Sequence, residues 1–190
     1  MKTFARCTVA ALVLAAATAF VPVASAQGMS MEDKPGQPPL SPPAMAAVTV
    51  GGKAIVVHYS SPSIRGRKIM GAVVPYGQIW RTGANPATSF VTAGNIKIGD
   101  LAVPAGSYTL YTLPAAPGTP WLLIINKQTG QWGTVYKPEM DLGRTPMHFD
   151  KLPAPQEVMS ISFEKTVANS TELHVRWETT DEWVKIEAAK

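Results

Sequence analysis

Hydrophobic and polar residues alternate along most of the chain beyond its first quarter, a pattern that predicts β-strands. Met159, Ile161 and Phe163 fall on one face of an extended segment, and polar residues fall on the other. The alternation returns in residues 172–178, where we expect the apolar positions to point inward. A continuous apolar run at residues 121–125 predicts a strand that is buried on both faces.

Turn signals divide these runs into short strands. Gly51-Gly52 lies between two β-prone runs, and Gly99-Asp100 lies between two apolar triplets, so each pair predicts a tight hairpin. Residues 137–157 carry four prolines and alternate weakly, which predicts a long loop. No window has the period of a long helix. We therefore expect one all-β domain over residues 45–190, an antiparallel β-sandwich of jelly-roll-like or Ig-like type.

The first 26 residues have the three parts of a secretory signal peptide. Two basic residues precede an apolar run from Val9 to Val23, and Ala24-Ser25-Ala26 fits a signal-peptidase site. This run is shorter than the roughly 20 residues of a spanning helix. We expect cleavage after Ala26, no transmembrane anchor afterwards, and a periplasmic or secreted protein. Residues 27–44, rich in Pro, Met, Gly and Ser, are expected to form a flexible linker.

The single cysteine, Cys7, lies inside the predicted signal peptide. The mature chain would therefore have neither a disulfide nor a thiol nucleophile. Although export usually permits disulfides, we expect the hydrophobic core to stabilise this domain without them.

Charge is distributed unevenly, although the formal net charge is only +4. No Asp or Glu occurs between Lys34 and Gly99, whereas several basic residues do, and acidic residues become frequent only from Glu139 onward. So small a net charge gives no indication of a nucleic-acid partner. The basic first part suggests that any ligand held there is anionic.

The first candidate site is the basic segment that follows a predicted strand and contains Arg65, Gly66, Arg67 and Lys68. Guanidinium groups suit the oxygens of carboxylates, sulfates and phosphates. The alternative interpretations are a solvated basic loop, or arginines paired to acidic residues of the C-terminal strands.

The second candidate site contains Trp80, Arg81 and Asn85 around a glycine-containing turn. A flat ring to stack on and a few fixed polar groups are typical of a sugar or anion site. The alternative is a structural corner in which Trp80 fills the core, Arg81 bonds loop carbonyls and Asn85 caps a turn. A further turn over residues 126–133 contains Trp132, which would suit carbohydrate stacking if exposed but is expected to be buried.

Catalytic and metal-binding patterns are weak. The histidines His58, His148 and His174 are far apart and have no metal-ligand spacing, and we expect His174 to be solvated on a polar face. We predict no metal and no cofactor, and we assign no catalytic residue. A hydrolase would require His58 or His148 to meet a late carboxylate such as Asp141 or Asp150.

The string Trp80-Arg81-Thr82-Gly83-Ala84-Asn85 is the most specific motif in the chain. Together with Tyr59 to Arg67, Val74 to Gly77 and Pro104 to Tyr108, it resembles the bacterial domain of unknown function family 2911 over roughly residues 40–187. The resemblance implies an exported or envelope-associated protein and no established activity. That family usually has Glu after the Asn, where this chain has Pro86, so the motif loses its one carboxylate.

These observations favour a non-catalytic binding module over an enzyme. We expect it to recognise an anionic or carbohydrate small molecule or an envelope glycan, with no nucleic-acid partner. The alternatives are an envelope-associated hydrolase and a structural or protein-interaction domain. The predicted ligand-binding residues are Arg65, Arg67, Trp80, Arg81 and Asn85.

Overall fold

The computed structural model of the protein describes residues 39–189. The predicted signal peptide, residues 1–26, and most of the predicted linker lie outside this range. The described strands are β1 (Pro43–Val50), β2 (Lys53–Ser60), β3 (Ser89–Thr92), β4 (Ile96–Ile98), β5 (Leu101–Val103), β6 (Gly106–Leu113), β7 (Leu122–Asn126), β8 (Asp141–Pro146), β9 (His148–Val167) and β10 (Ser170–Ala188). A 3-10 helix spans Pro138–Met140. Between residues 39 and 189, no helix is long and apolar enough to cross a lipid bilayer.

The strands form two antiparallel sheets, which confirms the predicted all-β class. One sheet has six strands in the order β1-β2-β3-β6-β7-β8, and the other has four in the order β5-β4-β10-β9. Both predicted hairpins are present: Val50 pairs with Lys53 across Gly51-Gly52, and β4 pairs with β5 across Gly99-Asp100. Gly51 and Gly52 have φ values of 56° and 74°, the positive angles that a tight two-residue hairpin turn requires.

Apolar side chains from both sheets pack into one hydrophobic core. Phe90 and Leu110 come from the six-stranded sheet, and Trp177 and Ile186 come from the four-stranded sheet. The inward-facing residues predicted on the two C-terminal strands are buried there, with Phe163 partly buried at the margin. Burying such apolar surface supplies most of the stability of a domain that has no disulfide.

Residues 137–157 do not form the predicted long loop. They contain the 3-10 helix, all of β8 and the first part of β9. Prolines misled the prediction because β8 and β9 are edge strands, each hydrogen-bonded to one neighbour only. Proline is tolerated on an edge, where its missing N–H does not interrupt a ladder. The same reasoning applies to Pro43, which opens the edge strand β1 within the segment expected to be linker.

Strand β10 bends sharply near Glu178. His174 Nδ1 lies 2.8 Å from a carboxylate oxygen of Asp181, although a straight strand would separate residues seven positions apart by about 23 Å. The pairing with β9 shifts register on both sides of Glu178, whose φ is 56°. The expectation that His174 is solvated is therefore wrong: the bend folds Asp181 and Trp183 against it and leaves it 3% exposed.

Candidate binding pocket

The segment after β2 carries the first predicted arginines and is tied to β9. Ser63 forms an isolated antiparallel bridge with Val158, Ile64 N donates to the carbonyl of Glu157 (2.9 Å), and Met159 N donates to the carbonyl of Pro62 (2.8 Å). These bonds carry the chain from the six-stranded sheet to the edge of the four-stranded sheet. Residues 62–64, directly before Arg65, are therefore fixed to β9.

Both arginines of this segment are exposed, and their guanidinium groups bond backbone carbonyls. Arg65 donates to the carbonyl of Leu40, and Arg67 donates to the carbonyls of Ser63 (2.7 Å) and Ile64 (3.1 Å). Among the described residues, no salt bridge joins either guanidinium to a carboxylate. Each group has five N–H donors, so donors remain for a ligand after these bonds are made.

The loop that contains the specific motif is fixed by buried hydrogen bonds. Trp80 and Thr112 exchange two backbone bonds of 2.8 and 2.9 Å. The Thr82 hydroxyl bonds that of Thr112 (3.2 Å), and the Thr88 hydroxyl donates to the carbonyl of Thr82 (3.0 Å). Thr82 and Asn85 adopt positive φ angles of 51° and 57°. The motif thus builds a rigid corner, which accords with the structural interpretation of its small residues.

Trp80 has two roles in this corner. Its ring stacks on Trp177 at 6.0 Å between centroids and meets Trp121 edge-on at 6.3 Å. Its Nε1 donates to the carbonyl of Gly83 (3.1 Å). The ring is only partly buried, and it also lines a surface pocket. We name these three tryptophans the aromatic wall.

The turn over residues 126–133 meets this corner at Gly133. Gly133 N donates to the carbonyl of Asn85 (3.1 Å), and a Cβ on Gly133 would lie 2.0 Å from Arg81 Cδ. The aliphatic part of Arg81 therefore packs directly against the Gly133 backbone. The neighbouring Trp132 is 43% exposed, so the expectation that it is buried is wrong.

Four of the five predicted site residues converge on one pocket of about 580 Å³, which we name the arginine pocket. Arg65, Arg67, Trp80 and Arg81 line it, whereas Asn85 does not and instead supports Gly133 through its backbone carbonyl. The other lining residues are Leu40, Ser41, Pro62, Val73, Pro75, Gln78, Ile79, Gly83, Ala84, Gly133, Thr134, Tyr136 and Trp177.

The arginine pocket combines positive charge with apolar walls. Its described lining contains three arginines and no Asp or Glu, while Val73 and Ile79 contribute apolar surface. Two acids outside this lining bond to lining residues: Glu157 accepts from Arg65 N at 2.8 Å, and Asp141 accepts from the Tyr136 hydroxyl at 2.7 Å. A pocket of this composition favours a ligand with an anionic group and a compact apolar or ring-shaped body.

Tyr136 is a pocket residue that the sequence patterns did not indicate. Its hydroxyl donates to Asp141 (2.7 Å) and accepts from Arg144 (2.8 Å). Burial first, and then the hydrogen bond to Asp141, raise the pKa of Tyr136 to about 12. The phenol is therefore neutral at physiological pH. Its partners lie on or beside β8, the strand that was mistaken for loop, so no local signal connected Tyr136 to the site.

The histidines that a hydrolase would need make no hydrogen bond or salt bridge to a carboxylate within residues 39–189. His58 is exposed on β2, and His148 is exposed on β9, where its ring stacks on Trp183 at 4.4 Å. Asp150 also contacts Trp183 by accepting from its Nε1 (2.9 Å). None of these residues lines the arginine pocket. Between residues 39 and 189, no group of His, Cys, Asp and Glu side chains is placed to hold a metal ion.

Comparison with known families confirms the resemblance seen in the motifs. The model of a family described as "Protein of unknown function (DUF2911)" matches residues 41–186. No curated protein matches the chain, and no solved structure matches it. The function must therefore be inferred from the site itself.

Proposed function

The chain belongs to the DUF2911 family, and we propose that it is a non-catalytic binding protein whose arginine pocket holds an organic anion. The observation that carries this proposal is the convergence of Arg65, Arg67 and Arg81 on a pocket whose described lining contains no carboxylate. The three arginines come from two segments that are separate in sequence, so the convergence is a property of the fold and not of one basic run.

The electrostatics favour an anion over a neutral sugar. Guanidinium groups bind carboxylate, sulfate and phosphate oxygens through charge-assisted hydrogen bonds, which are roughly twice as strong as neutral ones. Arg67 is already oriented by bonds to Ser63 and Ile64, which lowers the entropy cost of binding. Gln78 and Tyr136 add neutral polar groups that suit hydroxyls. An acidic sugar unit of an envelope glycan combines both chemistries.

We also propose that the protein acts in the periplasm or outside the cell, as a β-sandwich released from its signal peptide. The support is the three-part pattern of residues 1–26 and the single core shared by two sheets. N-terminal sequencing of the exported protein is expected to begin at Gln27. Recovery of the exported chain with Met1 still attached would contradict cleavage.

The binding proposal is tested by calorimetric titration of the purified protein with glucuronate, and with glucose as the neutral analogue. We expect glucuronate to bind, glucose to bind far more weakly, and the glucuronate affinity to fall with added salt because screening weakens charge pairing. The double substitution Arg65→Gln, Arg67→Gln is expected to weaken glucuronate binding at least about tenfold, which corresponds to about 1.4 kcal/mol.

The matched control is Lys53→Gln, Lys127→Gln, which removes two positive charges from exposed residues outside the pocket. This control is expected to bind glucuronate as the wild type does. An equal loss of glucuronate affinity in both double variants would mean that the overall charge of the protein, and not the pocket, causes the effect. Equal binding of glucose and glucuronate, unchanged in the arginine variant, would overturn the proposal.

A further inference from the structure

A second pocket, of about 440 Å³, lies at the bend of β10. Four parts of the chain form it: the segment before Trp80, the connection between β6 and β7, the start of β9, and the bend of β10. We name it the Glu182 pocket. Its lining residues are Met70, Tyr76, Ala115, Ala116, Pro117, Gly118, Thr119, Trp121, Phe149, Lys151, Glu178, Thr179, Thr180 and Glu182.

Glu182 is the unusual residue of this pocket. It is 1% exposed, and its Oε2 has no hydrogen-bond partner among the described residues. Burying a carboxyl group without a partner is costly, and ionising it there costs considerably more. Burial and then the charge of Asp181 raise the pKa of Glu182 to about 8. The group is thus mainly a neutral acid in the protein near neutral pH.

The neighbouring acids already have hydrogen-bond partners. Both oxygens of Glu178 accept backbone N–H bonds of 3.3 Å, from Ile69 and Met70. Asp181 bonds His174 and Arg176 at 2.8 Å each. Glu182 is therefore the acid of this region that has a carboxyl oxygen without a hydrogen-bond partner. No functional role described above accounts for this buried group.

Aromatic residues surround the pocket that contains this acid. Trp121 is buried, whereas Tyr76 and Phe149 are 37% and 54% exposed. Aromatic faces attract ammonium groups through the ring quadrupole. Lys151 is the one cation in the described lining, against the two acids Glu178 and Glu182. Both the charge balance and the rings therefore favour a cation with an apolar body.

We propose that the Glu182 pocket binds a small organic amine, whose ammonium group pairs with the unpartnered carboxyl of Glu182 while its apolar part packs on Trp121, Tyr76 and Phe149. On binding near neutral pH, the carboxylic acid proton of Glu182 leaves to solvent, and the resulting carboxylate accepts an N–H bond from the ammonium. The proposal does not rest on anion binding in the arginine pocket.

Phenethylamine is a suitable probe, with phenethyl alcohol and phenylacetate as its neutral and anionic analogues. Calorimetric titration of the purified protein at about pH 7, in two buffers of different ionisation enthalpy, measures both affinity and proton release. We expect phenethylamine to bind with release of nearly one proton, because a group of pKa about 8 is mostly protonated at that pH. Equal or tighter binding of either analogue would overturn the proposal.

The pH dependence gives a second readout in the wild-type protein. Amine affinity is expected to rise about tenfold between about pH 7 and about pH 9, and proton release to disappear, because Glu182 is then already ionised. The other charged or titratable groups that line the pocket or adjoin Glu182 are Glu178, Lys151, Asp181 and Tyr76. An affinity that stays constant over this range would contradict the role of Glu182.

Glu182→Gln removes the proton and the charge while keeping the shape of the side chain. We expect it to abolish proton release and to weaken phenethylamine binding at least tenfold (about 1.4 kcal/mol). The matched control is Glu187→Gln, which changes a partly exposed acid of the same strand that forms a salt bridge with Lys185 outside the pocket. This control is expected to bind phenethylamine as the wild type does. If Glu182→Gln does not fold, Phe149→Ala decides: unchanged affinity in that variant would contradict the site.

Discussion

Arg81 and Gly133 meet where the two loops beside the arginine pocket touch. A side chain at position 133 would place its Cβ 2.0 Å from Arg81 Cδ and 2.8 Å from the backbone oxygen of Asn85. The backbone oxygen cannot move away as a flexible side chain can. Glycine is therefore required at position 133 because Arg81 and the Asn85 backbone approach it closely. The position of the Arg81 side chain thus depends on a residue about fifty positions away in the sequence.

Gly133→Ala is expected to destabilise the protein by about 1–3 kcal/mol, because the added methyl group must displace either the Arg81 stem or the loop backbone. Urea denaturation measures this loss, and titration with glucuronate should show weaker binding as Arg81 shifts. The control is Gly106→Ala, whose Cβ would come no closer than 3.2 Å to its nearest neighbour, the Tyr108 side chain. A Gly133→Ala variant as stable as Gly106→Ala would contradict the close approach.

At the scale of elements, the bend of β10 determines what each half of the strand does. Before the bend, Leu173, Val175 and Trp177 face the core; at the bend, Glu178 and Glu182 line a pocket. The bend is held from its inner side by buried polar contacts between the two halves. Alternation of residue types predicted the apolar face of the first half, but it cannot report a bend, because the same pattern fits a straight strand.

Asp181 is the residue that joins the two halves. It accepts from Arg176 Nε at 2.8 Å and contacts His174 at 2.8 Å, and it is 4% exposed. Asp181→Ala removes the carboxylate that Arg176 and His174 share, so that Arg176 keeps only Glu164 and His174 keeps Glu172. The lost buried hydrogen bonds should lower the free energy of unfolding by about 1–3 kcal/mol. Urea denaturation tests this. Asp100→Ala, at an exposed hairpin tip, is the control and should unfold nearly as the wild type does.

Hairpins were predictable and edge strands were not, for a physical reason. The turns at Gly51-Gly52 and Gly99-Asp100 depend on residues adjacent in sequence, so the sequence carries the whole signal. Strand β8 and the first part of β9 contain prolines that interior strands exclude. Whether a strand lies at an edge depends on the order of the whole sheet, which no local window contains.

At the scale of the whole molecule, the arginine pocket illustrates the same limit. The residue types and the basic, acid-free first part of the chain predicted four of the side chains that line this pocket. Their convergence depends on long-range pairings, such as Ser63 with Val158 and Trp80 with Thr112. Tyr136 and the entire Glu182 pocket were missed, because Glu182 becomes unusual only when folding buries it.

Glu182 also makes the stability of the whole molecule depend on pH. Its pKa rises from 4.5 to about 8 on folding, mainly because of burial. Between these values the unfolded chain ionises Glu182 while the folded protein keeps it protonated, so the free energy of unfolding falls as the pH rises through this window.

Relative to Glu182→Gln, the wild type is expected to lose on the order of 4 kcal/mol between the two ends of this window. Urea denaturation of both proteins at about pH 4.5 and about pH 8 measures the difference. Comparison with the variant cancels the titration of groups that the two proteins share. Parallel stability curves for the two proteins would contradict the raised pKa.

The aromatic wall has a spectroscopic consequence. Of the five tryptophans in the chain, Trp80 and Trp177 line the arginine pocket, and Trp121 lines the Glu182 pocket. The ring centroids of Trp177 and Trp121 lie 6.0 and 6.3 Å from that of Trp80. These rings are close enough to exchange excitation energy and to couple in near-ultraviolet circular dichroism. Intrinsic fluorescence should therefore respond to occupancy of either pocket without an added label. A change in emission is assigned to the arginine pocket or to the Glu182 pocket by comparing the wild type with the matched variants of each.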